Sequence, residues 1–322
     1  MGRRQYRDAV SHKRPLVRPP GFAGRDFLRI AGLGADELVF LLDLAAEVKT
    51  HPDTYRAALA GRTLALLFEK PSLRTRSTFE IGMVQLGGHA LYLGPDEIAI
   101  GKRESVADIA RNLERWVDAI TARVFSHDTL VGLADHADVP VINALCDVEH
   151  PCQAIADFQT MREHLGELRG RTLAWVGDGN NVLHSLALAG AQLGVEIRVA
   201  TPEGYDPDPD IIAAARDLGG DVLLTRDPRE AVTGADVVYA DTWISMGQEA
   251  DAPQKEPIFR PYQINAALMA QASEQALFMH CLPAKRGKEV TDEVMDSPRS
   301  IVFDQAENRL HAQKAVLLAL LT

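Results

Sequence analysis

The chain has 322 residues, of which 46% are hydrophobic and 25% charged, and it carries a formal net charge of −11. This length allows two domains of ordinary size, and the composition is that of a soluble globular protein. The negative balance argues against a nucleic-acid partner, because a polyanion is repelled overall, and no apolar run is long enough to predict a membrane span.

The three cysteines, Cys146, Cys152 and Cys281, have neither metal-ligand spacing nor that of a disulfide framework. Unpaired cysteines are typical of a reducing compartment, so we expect a cytoplasmic protein with no metal site and no cofactor. Residues 1–18 are arginine-rich but lack the apolar core of a secretion signal. They could form an organelle transit segment, but we expect residues 1–26 to be a flexible extension.

In the first half, helical patterns alternate with short apolar strands. Apolar residues such as Leu38, Leu41 and Leu42 predict a helix over residues 36–50, and the apolar run at 63–68 predicts a strand covered on both faces. Further helices are expected at 76–86 and 105–116, and further strands at 90–93, 119–124 and 139–143. This alternation predicts parallel strands joined by crossover helices.

The pattern restarts after a long predicted helix over residues 147–164. Strands are expected at 172–176, 196–200, 221–225, 235–240 and 276–279, with a helix at 182–193. The fold class is therefore α/β, with two doubly wound parallel-sheet domains joined by interdomain helices. We expect the domains to span residues 27–147 and 148–305, and a C-terminal helix, 306–322, to complete the first.

Polar groups follow many of the predicted strands, at the edge where open α/β sheets bind ligands. They are Ser72 to Arg76, Arg123, residues 150–153, Asn180 with Asn181, residues 241–247 and residues 280–283. Each has an ordinary explanation, such as helix capping by Ser72 or Asn180. Together they favour a cleft between two domains.

The two halves place opposite charges at this cleft. Arg74 and Arg76 lie where a helix begins, and a helix start offers unpaired N–H groups and a positive dipole end to an anion. Arg123 and His150 extend this cationic side, and arginine fits phosphate oxygens in pairs. In the second half, Asp241 suits an ammonium group, although it could instead cap the next element.

Two other interpretations of single motifs were open. The turn Gly177-Asp-Gly179 could belong to a dinucleotide site, but Val182 stands where the third glycine is required and the next strand does not end in an acidic residue. Cys281, beside His280, could be a thiolate nucleophile, which would need a lowered pKa and an orienting residue. We favour a backbone turn at Cys281 that accepts hydrogen bonds from a substrate amide.

Five motifs, in this order, resemble the ornithine carbamoyltransferase family. They are Ser72-Leu-Arg-Thr-Arg76, His150-Pro-Cys-Gln153, Asp178-Gly-Asn-Asn181, Asp241-Thr-Trp-Ile-Ser-Met-Gly247 and His280-Cys-Leu-Pro283. The resemblance runs from about residue 27 to the C-terminus. It implies a carbamoyl phosphate domain and an ornithine domain, in a trimer or a multiple of trimers. The implied reaction transfers the carbamoyl group of carbamoyl phosphate to the side-chain amine of L-ornithine.

The resemblance also implies roles for individual residues. The phosphate would be bound by Ser72, Leu73 through its backbone, Arg74, Thr75 and Arg309. The carbamoyl group would be held by Arg123, His150 and Gln153, with Cys281 and Leu282 between the two substrates. The ornithine site would comprise Asn181, Asp241, Ser245 and Met246. The catalytic residues would be Arg74, Thr75, Arg123, His150, Gln153 and Cys281.

The chemistry of these residues agrees with that reaction. A neutral amine would attack the carbamoyl carbon, and the charge that builds on the carbonyl oxygen could be stabilised by Thr75, Arg123 and His150. No covalent intermediate is needed, so catalysis would rest on positioning and electrostatics. The departing phosphate is a candidate acceptor for the amine proton.

One position departs from the family pattern. Ala99 stands where the family usually has a glutamine or histidine that reaches a neighbouring subunit's site. Either another residue, such as Lys102, replaces that contact, or carbamoyl phosphate binds more weakly.

The charges rank the possible acceptors. Aspartate would call for cations in the second domain, where Asp241 has the wrong sign. Putrescine lacks the α-carboxylate that Asn181 is expected to meet, and acylated ornithine lacks the ammonium that suits Asp241. A non-catalytic small-molecule binder on the same fold is the alternative from another class.

Overall fold

The computed structural model of the chain describes residues 16–101, 103–244, 250 and 252–322. In these residues the strands form two sheets in which every neighbouring pair is parallel. The first has the order β2-β1-β3-β4 and comprises β1 (Thr63–Phe68), β2 (His89–Leu93), β3 (Ala119–Arg123) and β4 (Val141–Leu145). The second has the order β7-β6-β5-β8-β9 and comprises β5 (Thr172–Val176), β6 (Glu196–Ala200), β7 (Val222–Thr225), β8 (Val237–Ala240) and β9 (Leu277–His280). The predicted fold class is confirmed.

Helices connect these strands and cover the sheets. In the first half they are α1 (Ala35–Thr50), α2 (Leu73–Gln85), α3 (Pro95–Ile98), α4 (Val106–Leu113) and α5 (His127–Ala134). In the second half they are α6 (Pro151–Leu165), α7 (Asn181–Leu193), α8 (Pro209–Asp217), α9 (Pro228–Val232), α10 (Ala252–Phe259), α11 (Ala266–Met269), α12 (Asp292–Met295) and α13 (Val302–Leu321). Within the described ranges, the helices are too short or too polar to cross a bilayer.

Both faces of β1 are buried, as its apolar run predicted. Leu64 and Leu66 point into the larger core, which also contains residues of α1, α6 and α13. Ala65 and Leu67 point to the opposite face, with residues of α4 and α5. Alternation of side chains along a strand explains this division. Strands of this kind lie inside a sheet, and β1 has a neighbour on each side.

The strand order of each sheet reverses direction at one point. In the first sheet the chain leaves β1 toward β2 on one side and later adds β3 on the other side. In the second sheet β6 and β8 lie on opposite sides of β5. A crevice forms at such a point beyond the carboxyl ends of the strands. The turns after β1, β3, β5 and β8 are therefore placed to form a site.

Helices α6 and α13 connect the two halves. Helix α13 packs against α6, α1 and α2, and also touches β9 of the second sheet. It starts at Val302, four residues before the predicted start. Helix α6 starts at Pro151 rather than at residue 147, because proline is favoured in the first helical position and residues 147–150 form a separate link.

Part of the expected N-terminal extension makes packed contacts. Residues 1–15 lie outside the described ranges. Phe22 is buried beside the Phe40 ring, Gly24 N donates to Leu320 O at 2.9 Å, and Asp26 Oδ1 accepts from Val141 N at 2.8 Å. Residues 22–26 are therefore attached to the first sheet and to α13.

Candidate active site

The first site segment is the turn from β1 into α2. Ser72 is the N-cap, because its Oγ accepts a hydrogen bond from Thr75 N at 3.2 Å. The helix begins at Leu73, three residues earlier than predicted, so Arg74 and Thr75 belong to its first turn. The Leu73 side chain is 76% exposed. An anion would meet free N–H groups here.

Two buried arginines converge on the hydroxyl of Thr75. Arg309 Nη2 donates to Thr75 Oγ1 at 2.9 Å, and Arg123 Nη1 lies 3.5 Å from the same atom. Burial, together with the charge of Arg309, lowers the pKa of Arg123 to about 10. Among the described residues, the Nε atoms of both arginines have no hydrogen-bond partner. An anion with several oxygens could offset this concentrated charge.

His150 lies beside the arginines at the N-terminus of α6. Its backbone N donates to Ser185 Oγ at 3.0 Å, whereas its Nδ1 is buried without a partner among the described residues. Burial, followed by the charges of Arg309 and Arg123, holds the pKa of His150 well below its ordinary value. The ring is therefore neutral at physiological pH, and it can exchange hydrogen bonds with a substrate but adds no charge.

Gln153 lies one turn further along α6. Its Oε1 accepts from Arg309 Nη1 at 2.5 Å, and its Nε2 donates to Asp157 Oδ1 at 2.7 Å. The structure thus brings Arg74, Thr75, Arg123, His150, Gln153 and Arg309 to one end of the first sheet, as the sequence predicted. Asp157 was not among the predicted residues.

A carboxylate lies on the other side, immediately after β8. Asp241 is buried, and its Oδ2 accepts from Asn180 Nδ2 at 2.7 Å. Its Oδ1 accepts from Cys281 Sγ at 2.9 Å and from Thr242 N at 2.7 Å. The last bond comes from the next residue, whereas a helix-capping side chain accepts from an N–H two or three residues further on. Because these donors are neutral, the negative charge remains available to an ammonium group.

The two asparagines that follow β5 have different partners. Asn181, the predicted ligand, donates through Nδ2 to Cys146 O at 2.5 Å. Asn180 caps α7 with its Oδ1 while its Nδ2 binds Asp241. The sequence predicts both asparagines near the cleft and Asn180 as a possible helix cap, but not its bond to Asp241. Because Asn180 and Asn181 are adjacent and of the same type, the sequence could not show which of them bonds Asp241.

Cys281 lies between the two charged groups. Burial, and next the charge of Asp241, raise the pKa of the Cys281 thiol well above its ordinary value. A protonated thiol is a poor nucleophile, so this finding goes against the thiolate interpretation. Cys281 also affects the pKa values of Arg74, Arg123 and Arg309. It therefore lies within electrostatic range of both sides.

Leu282 continues the turn after β9. Its backbone has a φ of 61°, in the left-handed region that a branched residue seldom adopts, and its N–H donates to His280 Nδ1 at 2.9 Å. This bond helps to hold the strained turn. Such strain is found where a backbone group must be presented to a ligand, which agrees with the carbonyl turn favoured from the sequence.

Asp241, His280 and Cys281 bring possible metal ligands within 4.8 Å of one another. The cysteine spacing did not indicate this grouping. The thiol donates to Asp241, and His280 Nδ1 accepts from Leu282 N. These hydrogen bonds account for the grouping without a metal ion.

Some predicted positions cannot be placed. Ser245, Met246 and Lys102 lie outside the described residues. Ala99 follows α3 with a φ of 41°, also in the left-handed region.

Comparison with known proteins agrees with this geometry. The model for the carbamoyl-P binding domain of aspartate/ornithine carbamoyltransferase matches residues 25–163, and the model for the Asp/Orn binding domain matches residues 169–320. The chain belongs to the aspartate/ornithine carbamoyltransferase family. It is thus a carbamoyltransferase, and the two sheets correspond in order to the two domain models of this family.

Relatives within the family are similar over nearly the whole chain. Ornithine carbamoyltransferase from Thermococcus kodakarensis is 52% identical over 301 residues, which is 92% of this chain and 96% of that protein. A relative from Pyrococcus furiosus, described as an anabolic ornithine carbamoyltransferase, has the same identity and coverage.

Solved structures of carbamoyltransferases share the fold. The Pyrococcus furiosus ornithine carbamoyltransferase superposes with a TM-score of 0.91 at 50% identity, over 95% of this chain and 98% of that chain. The enzyme from Thermus thermophilus gives a TM-score of 0.85 at 50% identity, over 92% and 99% of the two chains.

Proposed function

We propose that this carbamoyltransferase transfers the carbamoyl group of carbamoyl phosphate to the side-chain amine of L-ornithine, giving L-citrulline and phosphate. One observation carries the proposal: the arginine cluster around Thr75 and the Asp241 carboxylate lie at the carboxyl ends of the two sheets, with Cys281 between them. A phosphate-bearing donor and an ammonium-bearing acceptor suit these two sides. The ornithine carbamoyltransferases described above support this choice of acceptor.

The donor binds at the start of α2. Ser72, the Leu73 backbone, Arg74 and Thr75 surround the phosphate, with Arg309 as a further contact. Arg123 and neutral His150 donate hydrogen bonds to the carbamoyl oxygen, and Gln153 orients the carbamoyl group. Charge develops on that oxygen in the tetrahedral intermediate, so donors fixed before the reaction stabilise it.

The acceptor binds against the second sheet. Asp241 pairs with the α-ammonium group, while Asn181, Ser245 and Met246 complete the ornithine site. Asn181 must exchange its bond to Cys146 O for the α-carboxylate, and Asn180 keeps Asp241 oriented. The amine nitrogen forms a bond to the carbamoyl carbon, the bond from that carbon to the phosphate oxygen breaks, and the departing phosphate takes the amine proton.

We propose that residues 27–147, with the helix at 306–322, bind carbamoyl phosphate, and that residues 148–305 bind ornithine. The contacts of α13 with α1, α2 and α6 support the first assignment. Residues 22–26 pack against this unit, which extends the packed region a few residues toward the N-terminus. Cytoplasmic localisation is supported by the three cysteines, which are free.

We further propose a homotrimer or a multiple of trimers. Leu73, Ile81 and Val84 lie within one side of α2 and are exposed, as is Leu91 on the edge strand β2. An apolar surface of this kind is typical of a subunit interface. Light scattering that gives three times the chain mass of 35.2 kDa, or a multiple of it, would support this assembly; a monomer mass would contradict it.

The reaction is tested with a panel of acceptors. Purified protein is incubated with carbamoyl phosphate and ornithine, putrescine, N-acetylornithine or aspartate, and the carbamoylated products are quantified. We expect ornithine to have the highest kcat/KM. Faster turnover of another acceptor would overturn the assignment, and the absence of turnover with all four would favour a binding protein.

A further inference from the structure

A buried carboxylate outside the predicted site is bonded to groups on both substrate sides. Asp157 lies on α6, one turn after Gln153, and is fully buried. Its Oδ1 accepts from Gln153 Nε2 and from Gln305 Nε2, each at 2.7 Å, and its Oδ2 accepts from Tyr239 OH at 3.0 Å. Three donors on three elements therefore share one carboxylate.

One branch leads to the phosphate side. Asp157 accepts from the Gln153 amide nitrogen, so the amide oxygen of Gln153 is turned toward Arg309. The other end of the Arg309 guanidinium donates to Thr75 Oγ1. A carboxylate can only accept and a guanidinium can only donate, so the Gln153 amide fits between them in one orientation. The carboxylate is thereby linked through Gln153 to Arg309 and Thr75.

The other branch leads to the acceptor side. Tyr239 is two residues before Asp241 on the same chain segment. Gln305 Nε2 also donates to Tyr239 OH at 2.9 Å. Gln305 Oε1 accepts at 2.9 Å from the backbone N of His280, the residue before Cys281. The same carboxylate thus connects with the ends of β8 and β9, which carry the acceptor groups.

Burial of this acid is costly unless its oxygens are satisfied. Burial raises the pKa of Asp157 to about 7, while the donors Gln153, Gln305 and Tyr239, and the charge of Arg309, act in the opposite direction. Cys281 is also within electrostatic range. Both oxygens of Asp157 accept hydrogen bonds, as the oxygens of an ionised carboxylate do.

We propose that Asp157 is a positioning residue that holds the phosphate-binding arginine and the acceptor-binding strand ends in one fixed arrangement. This inference rests on the proposed function, since it concerns the same site. Asp157 acts through Gln153 and Arg309 on the donor, and through Tyr239 and Gln305 on the acceptor.

The main test replaces the acid by its isostere, Asp157→Asn. Only the oxygen end of the asparagine amide accepts. If the nitrogen end faces the glutamines, the Gln153 amide must rotate or lose its bond, and if it faces Tyr239, the tyrosine hydroxyl loses its acceptor. If Gln153 rotates, its nitrogen faces the Arg309 guanidinium, donor against donor. We expect affinity for inorganic phosphate, measured by titration calorimetry, to fall roughly 10- to 100-fold, and kcat/KM to fall at least as much.

A matched control lies on the same helix. Glu163 of α6 accepts from Lys49 and from Asn308 of α13, away from the site. Glu163→Gln therefore perturbs the packing of α6 and α13 without touching the Asp157 bonds. We expect it to leave phosphate affinity within about threefold of wild type, because Lys49 and Asn308, which donate to Glu163, are not among the phosphate-binding groups.

A third variant separates positioning from a purely structural role. Tyr239→Phe removes one hydrogen bond to Asp157 on the acceptor branch and keeps the ring. We expect KM for the acceptor to rise about fivefold, with phosphate affinity unchanged. This variant also keeps the inference testable if Asp157→Asn does not fold.

The outcomes are distinct. The inference is overturned if Asp157→Asn folds and binds phosphate like wild type, if Glu163→Gln loses as much affinity as Asp157→Asn, or if Tyr239→Phe weakens phosphate and acceptor equally. Phosphate calorimetry does not require turnover. If wild type binds phosphate but carbamoylates no acceptor, the proposed reaction fails while the phosphate branch is still judged by the calorimetry.

Discussion

The link before α6 contains a glutamate whose ionisation should make stability depend on pH. Glu149 is fully buried; its Oε2 accepts from Ile30 N at 2.9 Å and from Ser185 Oγ at 3.1 Å. Among the described residues its Oε1 has no partner. Burial raises the pKa of Glu149 to about 7, against the opposing effects of Ile30 N, Ser185 and Arg29. The folded protein therefore holds a proton that the unfolded chain releases at lower pH.

The direction and size of the effect follow from linkage. Because the folded pKa is raised above the ordinary 4.5, the stabilisation is complete below pH 4.5 and is lost as the pH rises through about 7. The gap between the two pKa values corresponds to at most about 3 kcal/mol. Glu149→Gln stays neutral at every pH and can still accept both hydrogen bonds through its amide oxygen, so it should not show this loss.

The assay compares thermal unfolding of wild type and Glu149→Gln at pH 5 and pH 8, at one protein concentration. We expect the two proteins to melt within a few degrees of each other at pH 5, and the variant to melt higher at pH 8. Glu163→Gln is a control of opposite sign, because hydrogen bonds from Asn308 and Lys49 and the Lys49 charge lower the pKa of Glu163 despite its burial. Its loss of stability should be largest at neutral pH and vanish as the pH falls. If the difference in melting temperature between wild type and Glu149→Gln is the same at pH 5 and pH 8, the assignment of a neutral, buried glutamic acid is refuted.

Three further predictions concern the site. Arg74→Ala should lower kcat/KM for carbamoyl phosphate by roughly 10²–10³. The melting temperature should change by no more than a few degrees, because Arg74 is half-buried at the cleft and not in the core. Near-normal steady-state kinetics would exclude Arg74 from the anion site. Cys281→Ala should retain measurable turnover. Wild-type Cys281 should resist alkylation at pH 8, because its thiol pKa is raised. Loss of all activity in the variant, or rapid modification of Cys281 seen by mass spectrometry, would restore the nucleophile interpretation. Asn180→Ala removes a hydrogen bond to the Asp241 carboxylate, so KM for ornithine should rise about 5- to 50-fold with little change in KM for carbamoyl phosphate. A larger rise in KM for carbamoyl phosphate than for ornithine would contradict the acceptor role of Asp241.

The strands that are buried on both faces could be predicted well. The bounds of β1, β5 and β6 agree with the predicted 63–68, 172–176 and 196–200. The apolar runs of β1 and β5 are bounded by charged residues or glycine, whereas β6 alternates polar and apolar residues. Strand β4 was predicted at 139–143 but lies at Val141–Leu145. Pro140 has no N–H to give to a ladder, so the strand starts after it.

Helix ends were predicted less well. The first turn of α2 contains arginine and threonine side chains that carry no apolar period, so its start at Leu73 was missed by three residues. The Ser72 cap was the available signal. Helix α4 was predicted over 105–116 but spans Val106–Leu113, with Ser105 as its N-cap. Local hydrogen bonds decided both ends, and a periodicity of apolar residues does not report them.

Site residues near strand ends could be predicted from the sequence, whereas the buried Asp157 could not. Arg123 ends β3, Asp241 and Cys281 follow β8 and β9 directly, and Thr75 lies in the helix turn that follows β1. The structure brings these four residues together. Asp157 sits in the middle of α6, and its partners come from β8 and α13, so only the tertiary packing shows its role. Asn180 and Asn181 are adjacent, and only the geometry of the helix start directs one to Asp241 and the other to Cys146.

The central claim is that arginines on one side and Asp241 on the other bind a phosphate donor and an amino-acid acceptor in one cleft. The most direct measurement is a crystal structure with carbamoyl phosphate and L-norvaline, an α-amino acid that has no side-chain amine to react. We expect phosphate oxygens on the first turn of α2 and on Arg74 and Arg309, and the α-ammonium group on Asp241. Arginines turned into bulk solvent, or an ammonium group bound away from Asp241, would contradict it.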